Sequence, residues 1–308
     1  LHVMKEVSSD DNWMDHEAVK LLTLEHHMAA LRGGFDGFFE PLFRIGSFRT
    51  GLLDGTLSGI AFFAQQVLPL VQAMKSEDRF GIAQVVKDHS PLLSIDGLSA
   101  SMISLERIRT AGRSVEAVLS LWNDGADPVL LDVLSLIAHE GLFAIPDVFA
   151  PILSDPSSQE YEPKLSPAEA ADDSNPAIDA WREALSVPFS QLCAYVEYIS
   201  DRSPFGTHQG IKGLQFPRVM VILDDSEARG FMFSYEKLLG AKALTATDEK
   251  NRLEGKDTAV DRTRRLFYVT CSRAQQSLGV IVYTKEADKV ADCLYSLGWF
   301  QDDEIVRM

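Results

Sequence analysis

The sequence predicts an α/β fold in which a parallel sheet with helices on its faces carries a large, mostly helical insertion. Three observations lead there. Two short, continuous apolar runs, 218–223 and 278–283, flank an amphipathic helical stretch at 263–275, the strand–helix–strand order of a crossover unit. Residues 35–154 read as helix after helix, with no run of alternating β-branched residues. A polar, acidic, proline-punctuated stretch, 155–177, separates these parts. With 308 residues the chain is long enough for two domains with real cores.

From the N-terminus, residues 15–32 place His16, Val19, Leu21, Leu22, Leu24, Met28 and Leu31 at helical spacing, and Gly33-Gly34 ends the pattern. His26 and His27 point about 100° apart on such a helix and so do not form a joint metal site. The run from Gly55 to Met74 holds no charge. Its clustered apolar residues, with Gln65, Gln66, Gln72 and Pro69 among them, predict a buried helix pair rather than a membrane span. Further helices are expected over 99–110, 114–122, 129–139 and 146–153. His139-Glu140 opens like a zinc-protease helix, but Phe143 stands where the second histidine is needed. One helix is expected over 177–200. The run Arg218–Leu223, ending in Asp224-Asp225, and the run Leu278–Tyr283 have the composition of strands buried on both faces. The charged span 226–261 between them reads as a loop-rich surface insertion.

Composition excludes several classes of function. Cys193, Cys271 and Cys293 are too few and too scattered for a disulfide framework or a zinc site. They suggest a reducing, cytoplasmic setting, and the first residues have no signal-peptide core. The net charge of −16 speaks against nucleic-acid binding over the whole surface. Residues 201–308 carry 16 Lys and Arg against 16 Asp and Glu, so all the excess acidity lies in residues 1–200. A basic groove in the C-terminal third stays open.

Two segments in that third carry the chemistry. Thr207-His208-Gln209-Gly210-Ile211-Lys212-Gly213-Leu214-Gln215-Phe216-Pro217 is a glycine-hinged basic loop before the first apolar run. It offers a hydroxyl, a ring donor and a cation, with two glycines for close backbone approach. Placed at the amino end of that strand, it suits contact with something long better than a small-molecule pocket. Arg264-Arg265-Leu266-Phe267-Tyr268-Val269-Thr270-Cys271-Ser272-Arg273-Ala274 ends a helix before the second run. An arginine there could meet a γ-phosphate, or the helix could be laced with exposed salt bridges. Asp224 and Asp225 resemble a magnesium-binding strand end, yet that chemistry needs a phosphate loop, Gly-x-x-x-x-Gly-Lys-Ser/Thr. The chain has none: Gly255-Lys256 is followed by Asp257.

Taken together, the two segments resemble the fifth and sixth motifs of superfamily 1 DNA helicases of the UvrD/Rep type. The family patterns run roughly Thr-x-His-x-x-Lys-Gly-Leu-Glu-Phe and Glu-Arg-Arg-Leu-x-Tyr-Val-x-x-Thr-Arg-Ala. Thr207, His208, Lys212, Gly213, Leu214 and Phe216 match the first; Arg264, Arg265, Leu266, Tyr268, Val269, Arg273 and Ala274 match the second. Two departures stand out: Gln215 replaces the glutamate, and Thr207 directly precedes His208.

The resemblance covers about residues 201–284 and implies a second RecA-like domain of the P-loop-NTPase type. It would begin within residues 1–40, be interrupted by a helical insertion over 41–176, and resume over 177–308. It further implies that Arg273 reaches the γ-phosphate of ATP, that Gly213 and Gln215 help bind the nucleotide, and that Thr207, His208 and Lys212 couple it to single-stranded DNA. Arg264, Arg265 and Tyr268 would support them. ATP with Mg²⁺ is the implied cofactor, the Mg²⁺ ligands and the phosphate loop lying in a first RecA-like domain outside this sequence. The expected function is the C-terminal part of a 3′-to-5′ ATP-dependent helicase or translocase acting on single- and double-stranded DNA, with no membrane and with a nuclease as a further partner. The sequence is thus expected to be a piece that does not hydrolyse ATP alone. The alternative is a non-enzymatic helicase-like module that binds DNA or a nuclease through its acidic helical half.

Overall fold

The computed structural model describes residues 1–15, 17–93, 105–154, 175–200, 202–211, 213–229 and 232–307. The stretch 155–174, which holds nearly all of the expected linker, lies outside them, as do His16 and Lys212. The fold is α/β and its strands form an all-parallel sheet. The chain divides into two compact units, Leu1–Arg32 with Asp201–Met308, and Gly33–Ser200.

Along the chain, α1 (His2–Ser8) leads to β1 (Val19–Thr23) and α2 (His26–Gly33). The helical unit follows, with α3 (Asp36–Arg44), α4 (Arg49–Leu53), α5 (Ser58–Phe62), α6 (Leu68–Lys75), α7 (Arg79–His89), α8 (Leu105–Leu119), α9 (Leu130–Glu140), α10 (Ala150–Leu153), α11 (Pro176–Leu185) and α12 (Phe189–Ile199). The sheet unit resumes with β2 (Phe205–Thr207), β3 (Phe216–Leu223), α13 (Tyr235–Leu238), α14 (Ala246–Leu253), α15 (Ala259–Cys271), β4 (Ala274–Val282) and α16 (Ala287–Leu297).

In the sheet unit the strand order is β2-β1-β3-β4. Leu22, Val219, Val221 and Leu223 face one way and pack with Met28, Ile211, Tyr235, Leu266 and Phe267; Val19, Met220 and Ile222 face the other way onto Trp13 and Met4. Strand β3 is therefore buried on both faces, as its unbroken apolar run requires. Capping boxes at Thr258/Asp261 and Thr245/Asp248 start α15 and α14. The span after β3 is more ordered than expected, since α13 and α14 form within it.

Two sequence readings change here. Residues 15–32 are not one helix: Val19–Thr23 is a strand, and helix begins only at His26. The expected helix at 263–275 runs instead from Ala259 to Cys271, leaving Arg273 in the turn before β4.

The helical unit is built on aromatic packing. Phe35, Phe38 and Phe39 surround Tyr195, whose hydroxyl donates to the Leu52 carbonyl; Phe149 meets Trp181 edge to face at 5.1 Å. α8 passes through the break expected near residue 112, and Pro188 divides the expected 177–200 helix into α11 and α12. Both pack against α3 within this unit. The uncharged run forms one helical stretch rather than a pair, with a wide turn at Phe63–Val67 just before Pro69. Proline lacks the N–H that would close the regular bond there. Gly46–Lys75 is long and apolar enough to cross a membrane by length and composition, and half of its most apolar window is buried inside the protein. Phe62, Phe63, Val67, Leu70 and Val71 all lie in the core.

Candidate functional site

The loop 208–215 is itself the crossover between β2 and β3. Thr207 pairs with Thr23 and Arg218 with Val19, so the chain leaves the carboxyl end of β2, crosses β1 and returns to the amino end of β3. The sequence reading placed this loop only at the amino end of a strand, because β2 was not foreseen. Parallel strands are normally joined by a dozen or more residues, usually including a helix. Here the loop closes directly on the sheet and is pinned by its own side chains.

His208 is the first pin. Its ring is fully buried. Its backbone N–H donates to the Thr23 carbonyl at 2.8 Å, and its Nε2 lies 3.1 Å from the Leu22 carbonyl oxygen. A carbonyl only accepts, so Nε2 carries the hydrogen, and Nδ1 accepts from the Tyr235 hydroxyl at 2.9 Å. Burial pushes its pKa down to about 4, because the charged ring would lose its hydration. The ring donor expected to face a ligand is occupied inside the protein.

Thr207 Oγ1 accepts from the Gly210 N–H at 3.0 Å, and a Cβ at Gly210 would stand 2.9 Å from that oxygen. Ile211 inserts into the core beside Leu22. Gly213 has φ +84° and open space around it, a conformation that favours glycine.

Arg273 meets the far end of the loop. Its carbonyl accepts from the Phe216 N–H at 2.9 Å, and its Nη1 donates to the Leu214 carbonyl at 3.3 Å. Nε donates to the Val269 carbonyl at 2.8 Å and Nη2 to Ser272 Oγ at 3.3 Å. All these acceptors are neutral, and Arg273 forms no ion pair among the described residues. Gln215 is exposed and accepts from the Gln275 side-chain amide at 3.0 Å. Beside it the ladder slips: Phe216 pairs with Ala274 but Arg218 with Ser277, around Pro217, which has no N–H for the ladder.

The structure thus brings Arg273, Gly213, Gln215, Thr207 and His208 onto or against one loop. It does not place the remaining arginines there. Arg264 pairs with Asp261 at 3.8 Å and Arg265 with Asp257 at 2.7 Å, both more than half exposed, and Tyr268 is exposed on the same helix. Arg273 lies beyond the helix, in the turn before β4.

Sequence reasoning missed Tyr235, whose importance comes only from its contact with His208. It also missed Lys20, a buried lysine on β1 whose Nζ donates to the Ser203 carbonyl at 2.7 Å and sits 5.7 Å from the Phe216 ring centroid. The two aspartates after β3 serve the fold. Asp224 accepts from Ser226 N–H and Oγ at 3.1 and 2.6 Å and pairs with Arg32 at 3.4 Å. Asp225 accepts from Ser234 Oγ and the N–H groups of Tyr235 and Glu236 at 2.7–3.0 Å, capping α13. Among the described residues no three His, Cys, Asp or Glu side chains gather as metal ligands. No protein-family model matches the chain, and no curated protein matches it either.

Proposed function

We propose that this chain is the C-terminal part of an ATP-dependent DNA helicase or translocase of the UvrD/Rep type. It would contribute a second RecA-like domain interrupted by a helical insertion. The observation that carries the reading is the junction at Arg273: a guanidinium that, among the described residues, bonds neutral acceptors alone, hydrogen-bonded to the loop that holds the other motif. A cation with no carboxylate beside it keeps its charge for an incoming anion. Two sequence motifs separated by about fifty residues meet there.

In this reading ATP and Mg²⁺ bind between this domain and a first RecA-like domain that holds the phosphate loop. Arg273 stabilises the charge that develops on the transferred phosphoryl group. Gly213 and Gln215 border the nucleotide. Lys212 and the exposed Gln209 and Gly210 would meet single-stranded DNA, while the buried Thr207 and His208 act from within by fixing the loop's start. Movement is 3′ to 5′, in a cytoplasmic setting, and a nuclease is a fitting partner for the acidic helical unit. The test is DNA-stimulated ATP turnover of the intact protein, upstream half included. Arg273→Ala abolishes turnover and largely spares DNA binding; normal turnover in that variant refutes the reading. The 308 residues alone hydrolyse no ATP.

A further inference from the structure

The crossover loop is tied to α15 at both ends. At the far end the tie is direct, through Leu214, Phe216 and Arg273. At the near end it runs through Tyr235, which is 1% exposed. The Tyr235 hydroxyl donates to His208 Nδ1 at 2.9 Å, and the two rings meet edge to face at 5.6 Å. On its other side the Tyr235 ring packs against Phe267 of α15, with centroids 6.1 Å apart. The preceding residue, Ser234, donates its N–H to Thr263 Oγ1 of the same helix at 2.9 Å, and Thr263 is fully buried. Asp225 fixes the Tyr235 backbone to the end of β3. A continuous chain of buried contacts therefore leads from β1 through His208 and Tyr235 into the helix that ends beside Arg273.

Gln209, Gly210 and Gly213 to Gln215 are exposed, whereas His208 and Ile211 are buried. A ligand that displaces the loop must move one of the two ends. The near end is held by a neutral imidazole that has one free acceptor position, and Tyr235 fills it.

We propose that Tyr235 is a positioning residue: by holding His208 it locks the start of the crossover loop to α15, so that what binds the loop is felt at Arg273. This rests on the helicase reading given above. The variant is Tyr235→Phe, which keeps the ring and removes only the hydroxyl. In the intact protein, stimulation of ATP turnover by an oligo-dT strand falls about tenfold, a size typical of coupling through packed networks. The KM for ATP and the DNA-free rate stay unchanged, as a purely structural defect would not arrange. Hydrogen exchange at the His208 amide rises about tenfold while the amides of Val219–Leu223 keep their protection.

Unchanged stimulation in Tyr235→Phe overturns the proposal. If Arg273→Ala keeps its ATP turnover, the helicase reading falls instead, and the His208 amide then decides alone: no change in its exchange overturns the role of Tyr235, and a tenfold rise upholds the lock. Should Tyr235→Phe fail to fold, Phe267→Leu removes the ring that Tyr235 packs against on α15, and the same pattern is expected of it.

Discussion

The burial of His208 predicts a specific acid sensitivity. In the unfolded chain the imidazole titrates near its ordinary pKa of about 6.5, and in the folded protein near about 4. Between these values the unfolded state takes up a proton that the folded state refuses. Stability contributed by the neutral ring is complete above pH 6.5 and is lost as pH falls towards 4. From pH 7.5 to pH 5.5 the loss comes to about 1.4 kcal/mol by linkage, and it would reach about 2.5 kcal/mol at pH 4.5. The measurement stops at pH 5.5 because the chain approaches its isoelectric point near 4.8, where net repulsion vanishes and association follows. His208→Gln removes the titration while its amide can still donate to the Leu22 carbonyl. The assay is native-state hydrogen exchange at the β3 amides Val219–Leu223, which reports on the sheet unit alone. Intrinsic exchange rates cancel between wild type and variant at each pH. Wild type loses about 1.4 kcal/mol more protection than His208→Gln between the two pH values, roughly a tenfold change in exchange rate. Equal losses would refute the reasoning, since a ring that faces solvent or a ligand has no reason to titrate far below 6.5.

Three further outcomes are expected. Arg273→Ala forfeits a few partly exposed hydrogen bonds to neutral acceptors and lowers the stability of the chain by about 1–2 kcal/mol in urea unfolding, whereas the turnover of the intact protein drops about 10³-fold or more; a loss of turnover below tenfold leaves Arg273 a structural residue. Gly213→Ala places a side chain at φ +84° with nothing to clash against, so backbone strain alone costs about 1–2 kcal/mol, read from the same urea curves. Gly59→Ala would bring a methyl group to 2.6 Å from Phe149 Cζ and 2.7 Å from Trp181 Cη2; overpacking of about 1–3 kcal/mol follows, seen as a lower melting point with Trp fluorescence as the probe.

What the sequence disclosed and what it hid have physical reasons. Strand β3 was legible because burial on both faces leaves an unbroken apolar run; β4 has such a run too, but it is the edge strand and mostly half-buried, so the expected burial on both faces does not hold for it. β1 was not legible, because Val19-Lys20-Leu21-Leu22-Thr23 includes a lysine, buried here against a carbonyl and a ring, and because its apolar residues run on in helical spacing into α2. β2, with three residues, is too short to show any period. Missing β2 hid the loop's other end, at the carboxyl end of that strand. The helix boundary at α15 was in reach, since Thr258 and Asp261 stand at capping-box spacing before it. The candidate site was legible as two separate segments, and the direct bonds of Arg273 to Leu214 and Phe216 join them. Tyr235 lay beyond sequence reasoning: nothing local distinguishes it, and only the fold brings it to His208.

The short crossover also explains how labour divides within the loop. An eight-residue return across a strand leaves no slack for a helix, so every second or third residue must hold the sheet or face outward. His208 and Ile211 hold; Gly210 accommodates the Thr207 hydroxyl; Gly213 turns the chain at positive φ. A short loop held at both ends passes a displacement on to its anchors. One end is His208 with Tyr235, the other Arg273. A loop of the same composition carried on a long, slack connection would bind the same ligand and pass nothing on. In the proposed reading the coupling would reside in the shortness of the loop and in its two anchors, and the arginine that would meet a phosphate is itself one of them.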